Sequence, residues 1–312
     1  MKGIHRFARA IGLATTLGAV SAPARADVFY VGNQAGRVDR ISSAGVATHF
    51  ANVPPGGVYP SGVAFASSGN LFTADFNTNQ IDKITPAGVS SVFTNLPTGS
   101  DPDGLAFDKA GNLYVANHGT REINRITPAG TLTHFATLPA DAFSAGLAFD
   151  AGGNLYVAGS GEDQIGKITP AGTVSVFATL PSGSAPFGLA FDAAGNLYAA
   201  DFLTDQISKI TPDGTVSRFA TLPTNAQAIG LAFDSHGDLY ESGVDNVVRK
   251  ITSDGAVAPF ASDVNSGGFN FLALTDDAGR PLALPVPEPS IVGLALLGLG
   301  IGRPASKPKR GS

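Results

Sequence analysis

Cysteine is absent from this sequence, so no disulfide staples the fold, and burial and backbone hydrogen bonding must hold it. Helical patterning is missing too. Between Asp27 and Leu284 no ten-residue window repeats its apolar residues every 3.6 positions, which excludes a bundle or an alternating α/β arrangement. Charge is scarce: Asp, Glu, Lys and Arg make up 14% of the chain, and the net charge is −5. Lys2, Arg6, Arg9 and Arg25 all fall in the first 26 residues, which contain no acid, so the remainder sits near −9. No basic stripe survives, and nucleic acid is excluded as a partner. Nucleophile and phosphate-cradle motifs are also missing. Turn formers are abundant: 39 glycines and 21 prolines in a chain that is 43% hydrophobic point to an all-β, turn-rich protein.

The turns fall in phase. Gly62, Gly104, Gly146, Gly188 and Gly230 are spaced by 42 residues, and so are Gly69, Gly111, Gly153, Gly195 and Gly237. A closing Phe keeps the step to within one residue at Phe50, Phe93, Phe135, Phe177, Phe219 and Phe260. One unit reads as four short strands: a (188–191), b (197–200), c (206–210) and d (215–219). Asp192-Ala-Ala-Gly-Asn separates a from b, Thr211-Pro-Asp-Gly separates c from d, and Leu222-Pro223 ends d. Four antiparallel strands per unit of about 40 residues define a propeller blade. The missing Trp argues against the WD type of blade. Small residues of strand a (Gly188, Ala190) suit a crowded axis, while Leu189 and Phe191 fill the wedge between blades.

Five units are complete. Before them, 28–31, 37–41 and 46–50 read as b, c and d without an a. After them, 271–274 reads as an a without its partners. The two fragments complete each other, and the ring closes at six blades over residues 27–284, leaving no sheet edge exposed. Residues 282–284 compete with 28–31 for the b position. The motif Gly-Leu-Ala-Phe-Asp-x-x-Gly-Asn-Leu-Tyr-Val-Ala-Asp/Asn resembles the NHL repeat and, more broadly, the six-bladed lactonase-like (SMP-30/gluconolactonase-like) propellers. The Ile-Thr-Pro-Asp-Gly-Thr-Val segments also look like those of streptogramin lyases, a seven-bladed family.

The ends carry addresses. Residues 1–26 read as a secretory signal peptide: a basic start, an apolar run over 10–20 too short to span a bilayer, and Ala24-Arg25-Ala26 before Asp27. Residues 285–312 resemble a PEP-CTERM sorting tail, with the motif Val286-Pro287-Glu288-Pro289-Ser290, an apolar stretch over 291–302 and scattered bases to Arg310. That resemblance implies export to the surface or matrix of a Gram-negative-type bacterium, transient membrane contact by the tail, and processing by an exosortase. The apolar stretch would make roughly 18 Å of helix, short of a hydrocarbon core of roughly 30 Å.

Strand direction places the b–c hairpins and d–a linkers at one mouth of the ring. At the end of strand b the six units read Gly32, Asp75, Asn117, Gly159, Asp201 and Gly243. Asp75-Phe76 and Asp201-Phe202 are three units apart and therefore face each other across the axis. With Asp103, just before strand a, and Asn117 and His118, they form the candidate ligand-binding mouth. The resemblance to lactonase-like propellers implies a Ca2+ site using Asp75, Asp103, Asn117 and Asp201; the Glu which that family supplies from near its N-terminus has no counterpart here, because no Glu occurs between Asp27 and Glu122. Turn capping by the same side chains is the competing reading. The His pair and Glu that a streptogramin lyase implies are not found: His49 and His134 fall on strand d, His236 in an a–b turn, and His118 alone of the histidines lies near the mouth, where it or Asp103 is the candidate base. Glu241 has no evident partner. Three functions follow: a surface or matrix binding and scaffolding module for a protein, polysaccharide or small polar ligand; a metal-dependent lactonase-like hydrolase or a lyase; and a purely structural matrix protein.

Overall fold

A computed structural model describes residues 27–33, 35–54, 60–139, 144–262 and 269–275. Twenty-four strands form six antiparallel sheets of four, and the described residues contain no helix. Blade 1 is β24-β1-β2-β3: Phe269–Thr275, Val28–Asn33, Arg37–Ile41 and Ala47–Asn52. Blades 2 to 6 follow in chain order, beginning at β4 (Pro60–Phe65), β8 (Pro102–Phe107), β12 (Ser144–Phe149), β16 (Pro186–Phe191) and β20 (Ala228–Phe233). The ring closes as the two end fragments require. β24 pairs antiparallel with β1, with Phe29 opposite Leu274 and Val31 opposite Leu272. β1 therefore holds the b position; residues 282–284, the leader and the tail lie outside the described residues.

Strand a begins two residues before the sequence pattern, because a bulge lets Pro186 pair with Asp201 ahead of Leu189 with Ala199. Strand d runs on to Thr221, and the Leu222 N–H then donates to the Asp205 carbonyl (2.8 Å) before Pro223 stops the ladder.

Six apolar clusters fill the wedges between neighbouring blades, and each is built around an aromatic of strand b. Tyr114 meets Phe135 of its own strand d at 4.9 Å and Phe149 of the next blade at 5.0 Å, nearly edge-on. Tyr156 and Tyr198 repeat the arrangement. At the seam between blades 6 and 1 the next blade offers Leu274 where the others offer Phe, and Phe29 replaces the leucine beside it. The ring of Phe29 lies 4.3 Å from that of Tyr240, so the wedge keeps its volume.

Around the axis the inner strands nearly touch. A Cβ on Gly62, Gly104, Gly146 or Gly188 would lie 2.0–2.3 Å from a carbonyl oxygen of the next blade. Blade 1 places Phe271 at this register position. Its ring reaches the glycine of the opposite blade, with Cε1 3.1 Å from where a Gly146 Cβ would stand. The Phe271 ring thus occupies the axis between the inner strands.

Candidate functional site

The mouth is built from hairpin tips that tie down the linkers leading to the next blade. Asp163 and Asp205 adopt a left-handed backbone (φ 53° and 52°), which turns their carboxylates toward the linker. Asp163 accepts from the Gly183 and Ala185 N–H groups (2.7 and 2.8 Å), and Asp205 from those of Asn225 and Gln227 (both 2.8 Å). Asn79 does the same for the Asp101 N–H (2.9 Å).

In blades 2, 3 and 5 the side chain ending strand b lies beside the third residue of strand c. Asp201 Oδ2 accepts from Ser208 Oγ (2.6 Å). Asn117 Nδ2 donates to Asn124 Oδ1 (2.9 Å) and to the Glu122 carbonyl (3.1 Å). Asp75 Oδ1 accepts from the Asn77 and Thr78 N–H groups (3.2 and 3.3 Å), so turn capping holds for Asp75. All three are buried, and each keeps one buried oxygen without a partner. Burial raises the Asp75 carboxyl and pushes Asp201 up to about 7, the latter opposed by Ser208. Beside Asp75, Asp82 is driven to about 7 by burial first and by the Asp75 charge second. Asp103 stands apart on inner strand β8, near Ser61 of blade 2, and burial pushes its carboxyl to about 7.

One expectation needs correction. Register puts Asn33, not Gly32, at the end of strand b in blade 1: Asn33 pairs with Arg37 as Asp75 pairs with Gln80. Of the residues expected to line a Ca2+ site, Asp75 and Asp201 lie on opposite blades and Asn117 donates to Asn124. Among the described residues, the one cluster of three His or acidic ligand atoms within 4.8 Å does not include Asp75, Asp103 or Asp201.

The exposed part of the mouth is aromatic. Phe76 and His118, on neighbouring hairpins, have ring centroids 6.1 Å apart, and Phe187 and Phe202 are 5.0 Å apart. All four are half-buried, and Leu203 beside Phe202 is 63% exposed.

Sequence reasoning left Glu241 alone, but the structure gives it Arg249 across the hairpin, with Nη1 3.0 Å from Oε2; Arg249 also pairs with Asp245. Burial nevertheless pushes Glu241 up to about 8. The signal was the repeat itself. Register sets Glu241 opposite Arg249 where the other blades set Thr73 opposite Asp82, Val115 opposite Asn124, Val157 opposite Gly166 and Ala199 opposite Ser208, so only blade 6 puts an acid and a base at these two positions.

These features define a six-bladed propeller of the class that includes lyases and lactonases. Residues 12–278 match the virginiamycin B lyase family, and the chain belongs to that family. No curated protein matches this sequence. Among solved structures it is similar to a catalytically inactive virginiamycin B lyase from Staphylococcus aureus with quinupristin (21% identity, TM-score 0.64, over 82% of this chain and 92% of the other). It is also similar to a nidogen/laminin complex (17%, 0.69, over 80% and 98%) and to a gluconolactonase from Xanthomonas campestris (18%, 0.59, over 69% and 82%). At these identities the likeness is one of fold. The ring here has six blades, not the seven that the resemblance to streptogramin lyases implies.

The described histidines do not pair at the mouth. His134 Nε2 contacts Thr137 Oγ1 (2.9 Å) on strand d, His49 Nδ1 lies 3.8 Å from Asp39 Oδ1, also on a strand d, and His236 is on the opposite face. The Glu that is buried, Glu241, is held by Arg249.

Proposed function

We propose that this member of the lyase family is an exported binding and scaffolding module, whose aromatic mouth holds a sugar ring or another small ligand with one apolar and one polar side. The observation that carries the reading is the half-exposed pairs Phe76–His118 and Phe187–Phe202 above an axis that Phe271 occupies, with no histidine pair beside them among the described residues. Flat rings present area for stacking at little entropic cost. The leader and tail support delivery to the cell surface or matrix of a Gram-negative-type bacterium, with exosortase removing the segment after Val286–Ser290. A polysaccharide or surface protein is the partner this destination offers.

A second reading is favoured by Asp103. A buried carboxyl at the innermost strand with a pKa of about 7 has the property of a general base, and the family is one of lyases. One experiment separates the two. With no native tryptophan, Phe202→Trp makes a single emitter at the mouth. Titration with soluble matrix oligosaccharides is expected to shift its emission, and Phe187→Ala in the same background to weaken the response at least about tenfold. Quinupristin and a lactone panel are expected to remain intact on mass spectrometry. Turnover that is lost in Asp103→Asn would replace the scaffold by the enzyme.

A further inference from the structure

The face opposite the mouth carries the a–b turns; those of blades 3, 4 and 5 open on Asp and close on Gly-Asn, while blade 2 opens on Ala66. Asp108 shows the common design: Oδ1 accepts from the Ala110 and Asn112 N–H groups, and Oδ2 from Asn112 Nδ2. Blade 6 departs from it. Its turn reads Asp234-Ser235-His236-Gly237, and no other a–b turn contains a histidine. Its neighbour, blade 1, has no a–b turn at all, because strand a comes from 269–275 and strand b from 28–33. By register, Asp27 stands where the other blades place the turn glycine.

Asp27, Asp234 and His236 therefore meet at the seam where the ring closes. Among the described residues they are the one group of three metal-ligating side chains with ligand atoms within 4.8 Å of one another. His236 Nδ1 lies 3.7 Å from Asp27 Oδ2 and 3.9 Å from Asp234 Oδ2. Local hydrogen bonds aim the carboxylates. The Ser235 N–H and Oγ donate to Asp27 Oδ2 (3.1 and 2.9 Å), and the His236 and Asp238 N–H groups occupy Asp234 Oδ1 (both 2.9 Å). Asp27 is only 6% exposed, and its Oδ1 is buried without a partner. A buried carboxylate beside a second one asks for a cation. His236, 59% exposed along its side chain, leaves one side open to water ligands.

We propose that this seam binds one divalent first-row transition ion, with Zn2+ as the representative. Tetrahedral ligands at about 2.0–2.1 Å stand roughly 3.4 Å apart, so closing the two histidine–carboxylate spacings needs only a few tenths of an ångström. One imidazole nitrogen with two carboxylates selects such an ion over Ca2+ or Mg2+, which take oxygen alone. The ion would join Asp27, at the start of the closing blade, to the turn of blade 6, and so fasten the N-terminal strand at the one place where the chain does not run through a turn.

The test is calorimetric titration and thermal melting of the untagged chain with ZnCl2 and, separately, CaCl2. One Zn2+ per chain and a raised Tm are expected, with no effect of Ca2+. His236→Gln alters an exposed side chain and should leave the metal-free Tm within about 2 °C while weakening Zn2+ at least about tenfold. Asp27→Asn should do the same to affinity, and His49→Gln should change nothing. Absence of Zn2+ binding, a Ca2+ response equal to that of Zn2+, or affinity unchanged in His236→Gln overturns the proposal.

Discussion

Gly104→Ala is expected to abolish folding or to cost more than about 4 kcal/mol, a large part of the stability of an ordinary domain. The added methyl would stand 2.1 Å from the Ala145 carbonyl oxygen and 2.9 Å from the Gly146 Cα. Both obstacles are backbone of the next inner strand, so no rotamer change relieves them. Moving β12 outward would in turn disturb Gly146, whose own Cβ position is 2.3 Å from the Phe187 oxygen. The strain therefore travels around the ring instead of dissipating in one wedge. Gly195→Ala is the control. Gly195 has φ +84° with nothing within 4 Å, so alanine there meets only the left-handed backbone penalty, about 1–2 kcal/mol. Urea titration of the two variants reads the contrast directly. Equal midpoints would mean that the inner strands are not packed as described.

The repeat made the blades legible, because every marker recurs and each copy checks the others. Its errors fall where the copies differ. Blade 1 has no a–b turn to count from and a b–c hairpin one residue shorter than that of blade 2, so counting back from Phe50 placed Gly32 where the register has Asn33. The partner of Glu241 was hidden by the equally short hairpin of blade 6, which brings Arg249 into the strand-c position. The carboxylates of the mouth were found as residues, but their direction was not. Strand alternation fixes a face, whereas the choice between axis and own blade depends on what strand c offers, as Ser208 does for Asp201. The Asp27–His236 pair, 209 residues apart, exists only because the ring closes, and no local pattern announces it.

The second large effect is an inverted pH profile: this protein should be more stable at pH 5 than at pH 8. Asp82, Asp103 and Asp201 are pushed from an ordinary 3.8 to about 7, and Glu241 from 4.5 to about 8, by burial in every case. The sign follows from where the protons are held. Near pH 4 the unfolded chain begins to ionise these groups, while the folded chain keeps them protonated up to pH 7 or 8. Folding must then hold protons that the unfolded chain releases, at about 1.4 kcal/mol per pH unit for each group. The cost accumulates from about pH 4 to pH 7–8 and is constant above, so several kcal/mol separate pH 5 from pH 8. Asp213 and Asp254, lowered by the hydroxyls of Thr211 and Thr252, act in the opposite sense, and only as pH falls below about 4. Urea midpoints across pH 5–8 measure the slope. Asp201→Asn retains an oxygen to accept from Ser208 and cannot ionise, so it should be more stable than the parent at pH 8, no more stable at pH 4, and flatter between. A midpoint that holds level or rises from pH 5 to pH 8 would show that these buried carboxylates are ionised in the fold, through counter-charges beyond the Arg249 that faces Glu241.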